Sequence, residues 1–139
     1  MGGCFMEKKL ALIKEWIHKA HNDLGIAKLA LENQAEFTDA ICFHCQQAVE
    51  EYLKAYLIHR DVEFKKTHSI SYLLDLVRDI EEVSDELYQN AEIIESYAVE
   101  IRYPDNWYEP TKEEALEVYN VAVVFKKSVL DRINKPESY

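Results

Sequence analysis

The chain has 139 residues, is 48% hydrophobic and 30% charged, and sets 26 acidic against 16 basic side chains for a net charge of −10. That length is most simply one domain able to bury its own core, and no window approaches the roughly 18 consecutive apolar residues of a membrane span. Lysines fall in scattered pairs at 8–9, 65–66 and 126–127 rather than in a basic stripe, which argues against broad nonspecific binding of DNA or RNA through phosphate neutralisation.

A small local site, or one completed by a partner, is compatible with this balance. Only three glycines and three prolines punctuate the chain, which favours long helices over many strands. The opening "MGGCFMEKK" lacks the apolar run of a signal peptide and reads as a disordered start or a cloning remnant. Residues 1–6 are therefore set apart from a domain over 7–133, with 134–139 as a tail. A cytoplasmic location is expected, and three cysteines, two of them within a helical pattern, suit reduced thiols there.

The first helix is expected from about Glu7 to Glu32, with Leu10, Ile13, Ile17, Ala20, Leu24, Ala27 and Leu31 forming one seam of alternating three and four spacings. "NQAEF" turns the chain. A second helix, from about Thr38 to His59, contains "CFHCQQAVEEYLKAYL". At about 100° per residue, His44, Gln47, Glu50, Glu51 and Lys54 share one arc. Ile41, Cys42, Cys45, Ala48, Val49, Tyr52, Leu53, Ala55 and Tyr56 cover most of the rest. Such a helix belongs at the centre of a bundle, with one polar stripe facing a cleft, a partner or water. The plain reading of that stripe is a solvated face carrying a Glu50–Lys54 pair one turn apart.

Thr67 or Ser69 can cap a third helix with Ile70, Leu73, Leu74, Val77 and Ile80 inward. Ser84, followed by Asp85 and Glu86, starts a fourth with Leu87, Ala91, Ile94, Ala98 and Ile101 in register. Pro104 stops that helix at Tyr103. Thr111 and Glu114 form a capping box for a fifth, running to about Ile133 with Ala115, Val118, Ala122, Phe125 and Val129 inward. The fold class is all-α: an antiparallel up-and-down bundle of four long helices plus one shorter helix.

Cys42, His44 and Cys45 have zinc-ligand chemistry, but His44 points away from Cys45 on the helix and no second pair completes four ligands. No metal site and no cofactor are expected, and the two cysteines read as structural. A Cys–His nucleophile fails because sequence neighbours on a helix do not face one another. Glycines at 2, 3 and 25 cannot build a phosphate loop. The stretch "YAVEIRYPDNWY" is more suggestive. Arg102 suits the end of a helix dipole, yet with Tyr103, Asp105, Trp107 and Tyr108 it supplies a guanidinium fork, a carboxylate and three aromatic faces, able to hold a phosphate and stack a base.

Taken together, "WIHKAHNDLGIA", "CFHCQQAVEEYLKAYL", "THSISYLL" and "EIRYPD" resemble the HEPN family, a domain of higher eukaryotes and prokaryotes described as nucleotide-binding. The resemblance runs from about Glu7 to Ile133. It implies a helical bundle, usually a homodimer, often encoded beside a minimal nucleotidyltransferase and acting as its toxin-like or substrate-binding partner. Carried onto this chain, the family positions are Trp16, Asp23, His44, Gln47, Glu50, Lys54, His68, Arg102, Tyr103 and Pro104.

One branch of the family is metal-independent ribonucleases, marked by an arginine, four to six residues and a histidine. Here Tyr103 to Pro110 contain no histidine, none follows His68, and Arg60 and His68 miss the spacing. The leading expectation is therefore a noncatalytic module that binds a nucleotide or RNA, or a nucleotidyltransferase partner. In it Arg102 and Lys54 would take phosphate and Tyr103 or Trp107 would stack a base. His44, Gln47 and Glu50 would orient the ligand or brace Arg102. The alternatives are a ribonuclease pairing Arg102 with His44 or His68, or a structural subunit.

Overall fold

The computed structural model describes residues 2–33, 36–102 and 108–135, with backbone alone for 2–4 and 98–102. Five helices follow one another: α1 (Gly2–Glu32), α2 (Thr38–His59), α3 (Ile70–Arg78), α4 (Asp85–Arg102) and α5 (Lys112–Asn134). The all-α bundle of four long helices and a short one is what forms, and no strand occurs among the described residues. Cross-links set the direction of the first pair. Lys9 meets Asp61 at 2.9 Å while Asp23 meets His44 at 2.8 Å, so α1 and α2 run antiparallel.

α1 begins earlier than its seam suggested, at Gly2 rather than Glu7. The seam itself starts to bury only at Ile13, and Leu10, expected inward, is 51% exposed. The cause is length: Leu10 lies at the level where α2 has already ended, beside the Lys9–Asp61 ion pair, so no helix stands opposite to cover it.

The termini are held by local chemistry. After α2, Asp61 takes a left-handed φ of 60°. Its N–H donates to the Ile58 carbonyl at 3.0 Å and the Val62 N–H donates to Leu57 at 2.9 Å. That is a Schellman stop, with Val62 folding back toward Leu57. Ser69, rather than Thr67, caps α3 by accepting from the Tyr72 N–H at 3.1 Å, and Ser84 Oγ accepts from the Leu87 N–H at 3.2 Å to open α4. Ile80 falls beyond the end of α3 and is half-buried.

α5 opens with the expected Thr111–Glu114 capping box. The Glu114 carboxylate accepts the Thr111 N–H and also the hydroxyls of Tyr108 at 2.6 Å and Tyr97 at 2.9 Å. The Thr111 backbone, then the two phenols, hold this carboxyl down at about 2.

α2 touches every other helix. Tyr52, Phe125, Ile41 and Leu57 are all less than 2% exposed, as are Leu73, Leu74 and Ile94. Each such side chain contributes about 1.5–3 kcal/mol by leaving water. Phe125 comes from α5, and Ala115, Val118, Ala122 and Val129 bury with it as the spacing required. Replacing Phe125 with Ala is expected to lower unfolding free energy by about 3–5 kcal/mol, read as a shift in the urea midpoint at unchanged slope.

Candidate functional site

The polar arc of α2 is not a solvated face. Glu50 is 2% exposed, Lys54 7% and Gln46 8%. Charged groups so buried need partners, and α1 together with the segment before α3 supplies them. His44 Nδ1 lies 2.8 Å from Asp23 Oδ1 on α1. Glu50 takes His68 Nδ1 at 3.2 Å on one oxygen and the Gln46 amide at 3.4 Å on the other. Lys54 donates to the Thr67 carbonyl at 3.0 Å, and its ammonium sits 5.2 Å from the centre of the Trp16 ring. Lys19 approaches the same ring at 5.4 Å.

Asp23 serves two neighbours. Besides His44 it is hydrogen-bonded to Glu51, whose Oε1 is buried without a partner. Burial, reinforced by the bond to Asp23 and the charges of Asp23 and Glu50 and opposed by Lys19, pushes Glu51 up to about 9. Glu51 is therefore protonated at neutral pH and turns its proton toward Asp23. The same carboxyl group lies against His44 Nδ1, which holds the ring in one orientation with Nε2 turned away. The row Glu51, Asp23, His44 is thus an imidazole oriented by one carboxyl group that a second one braces.

Trp16 joins this row to a second feature. An open groove of about 810 Å³ runs between the start of α1 and the turn after α2, lined by Phe5, Leu12, Trp16, Ile58, Val62 and Phe64, with Lys8 and Lys9 alongside. Aromatic faces next to lysines are the elements that stack a base and hold a phosphate. The polar stripe and the groove meet at one indole, and Lys54 is the cation at the junction.

Of the residues expected to form a site, the structure brings Glu50, Lys54 and His68 together, while His44 sits nearer the start of α2 against Asp23. Gln47 is half-buried on the same face of α2. Arg102 ends α4 with only its backbone described. Tyr103, Asp105 and Trp107 lie outside the described residues, and Tyr108 binds Glu114. Asp23, Glu51 and Trp16 belong to the constellation although no binding role was assigned to them, and Lys19 was missed outright. Their signal was present: Trp16, Lys19 and Asp23 repeat the three–four spacing one residue before Ile17, Ala20 and Leu24 of the apolar seam.

Among the described residues no group of three or more His, Cys, Asp or Glu is placed to hold a metal ion, and no helix is long and apolar enough to cross a membrane. Cys42 and Cys45 are buried free thiols. Burial pushes Cys42 up to about 12 and raises Cys45 further, so neither offers a thiolate nucleophile near neutrality.

Comparison with known proteins gives a consistent picture. A sequence model of the HEPN domain matches residues 13–132. The crystal structure of an archaeal HEPN homologue is similar, with a TM-score of 0.70 at 28% identity over 88% of this chain and 98% of that one. A structure from Thermus thermophilus gives 0.71 at 28% identity, covering 86% and 97%. An HEPN domain protein from Thermotoga maritima gives 0.71, 88% and 99%, and at 24% identity it speaks to the fold alone. None of the curated proteins matches the chain.

The carboxyl row carries a pH signature. A carboxyl whose folded pKa is raised binds its proton more tightly in the native state. Its contribution is complete below the unfolded value of 4.5 and is lost as pH climbs through about 9. Wild-type protein is expected to lose melting temperature across that interval, and Glu51→Gln, which keeps the donor and removes the ionisation, to flatten the loss. Melting curves from pH 5 to 9 on both proteins check it.

Proposed function

The chain belongs to the HEPN domain family, and from that premise we propose a noncatalytic nucleotide-binding module, homodimeric, that pairs with a minimal nucleotidyltransferase in a toxin–antitoxin-like system in the cytoplasm. The ligand seat is the junction at Trp16. One observation carries the reading: Lys54, a buried ammonium on α2, is held between the Trp16 ring and the Thr67 carbonyl where the polar stripe opens into the apolar groove. A base stacks in the groove, Lys54 and Lys19 take the phosphates, and the Glu50–His68 pair lies alongside. For the dimer, exposed apolar side chains on one side of α5 (Leu116, Val123 and Val124) offer area that a second copy covers.

A second reading rests on the His44–Asp23 bond. An imidazole oriented by a carboxylate with its other nitrogen bare is general-base geometry, and Arg102 would stabilise phosphorane charge in a ribonuclease of variant site. The two readings separate in one set of assays. A thermal-shift series with nucleoside mono-, di- and triphosphates is expected to raise the wild-type melting temperature with the logarithm of ligand concentration. Lys54→Met is expected to abolish the shift while keeping helicity. No shift with any nucleotide refutes the binding reading. RNA cleavage in EDTA that disappears in His44→Ala favours the enzyme.

A further inference from the structure

At the same end of α2 as Trp16, but on the side turned away from the groove, the helix ends carry an opposite electrostatic pattern. Tyr56 and Arg60 from the end of α2, Glu81 after α3, and Arg132 and Lys135 from the end of α5 line a pocket of about 380 Å³. Among the described residues that line it three cations face one carboxylate, so their balance is three minus one, or two positive charges, in a chain whose net charge is −10. That inversion is local and built.

Glu81 is the brace. One oxygen accepts from Arg60 Nη1 at 3.1 Å and from the Tyr56 hydroxyl, and the other accepts from Arg132 Nε at 2.9 Å. Arg60 Nη1 also donates to the Tyr56 oxygen at 2.8 Å, with its guanidinium 5.9 Å from the centre of the Tyr56 ring. Arg132 Nη1 reaches the Ser128 carbonyl at 3.2 Å and the Ser128 hydroxyl. Both guanidinium planes are therefore fixed by bonds along one edge. Arg60 Nε and Nη2, Arg132 Nη2 and the Lys135 ammonium take no part in these bonds, and the two arginine side chains remain 40% and 39% exposed.

A structural account exists for part of this. Cations at the ends of α2 and α5 answer the helix dipoles, and two arginines around Glu81 make an ion-pair network. That account leaves the open pocket the three cations share unexplained. Oriented guanidinium forks and an ammonium round a cavity are the chemistry of phosphate recognition. The residual charge of two matches a dianion. At about 30 Å³ per water, the pocket holds roughly a dozen waters, room for a phosphate with part of the group that bears it.

We propose that Arg60, Arg132 and Lys135 form a binding site for a phosphate dianion, presented as a phosphomonoester or as free phosphate, separate from the seat at Trp16. Glu81 and Tyr56 position the arginines and do not touch the ligand. The site stands whether or not the nucleotide reading at Trp16 does.

The test is isothermal titration at pH 7.5 and constant ionic strength with inorganic phosphate, ribose 5-phosphate, AMP and, as a charge control, chloride. Lys135→Ala is the first variant, because its ammonium makes no bond among the described residues and lies past the end of α5. Arg60→Met is the second, with circular dichroism as the folding check. Saturable binding of phosphate or ribose 5-phosphate is expected, weakened at least tenfold in Lys135→Ala and unchanged in Lys54→Met. Tighter ribose 5-phosphate than inorganic phosphate assigns the site to esters; equal affinity assigns it to the free ion. Absence of saturable phosphate binding overturns the proposal, as does binding that Lys135→Ala leaves intact.

Discussion

Everything in this molecule is arranged around a helix with no outer face. α2 packs against all four of its neighbours, yet it carries His44, Gln46, Glu50, Glu51 and Lys54. A buried polar group left without a partner costs about 1–3 kcal/mol, more if charged, so the surrounding elements are constrained to deliver partners at fixed levels. α1 brings Asp23 to His44, the segment before α3 brings the Thr67 carbonyl to Lys54, and the residue after α3 that meets Tyr56 is Glu81. Apolar packing holds the helices together, while these matched pairs restrict how each may slide along α2.

The same constraint sends two carboxyl groups in opposite directions. Glu51 is set among Asp23 and Glu50 with a single lysine opposing, and burial drives it to the protonated form. For Glu81 burial also works toward protonation, but hydrogen bonds from Tyr56 and Arg132 and the charges of Arg132 and Arg60 outweigh it and keep the group ionised. One helix therefore has an acid-rich, proton-sharing flank toward α1 and a cation-rich end beside α5. The net charge of the chain reports neither, because both are local arrangements of residues distant in sequence.

The helices were legible because their signals are local. The seam of α1, the serines before α3 and α4 and the Thr111–Glu114 box each act within a turn or two of themselves. The bounds of α2 came out as Thr38 and His59, as its periodicity indicated. Leu10 misled because periodicity says which face a residue occupies and not whether anything stands opposite. The half of the site on α2 was legible as a stripe. Its completion by Lys19 of α1 was not, since a helical wheel does not reveal which helix will face it or at what level. Arg60, Glu81 and Arg132 are separated by 21 and 51 residues along the chain, and no spacing rule joins them.

Burial of Cys42 and Cys45 has a practical reach beyond packing. The thiolate is the reacting species toward oxidants and alkylating reagents, and in the folded protein these two thiols hold their protons far above neutral pH. Both lie on the helix that every other helix covers. Their modification thus waits on an opening that exposes α2, and the rate at which they take up a thiol reagent measures how often the whole bundle comes apart.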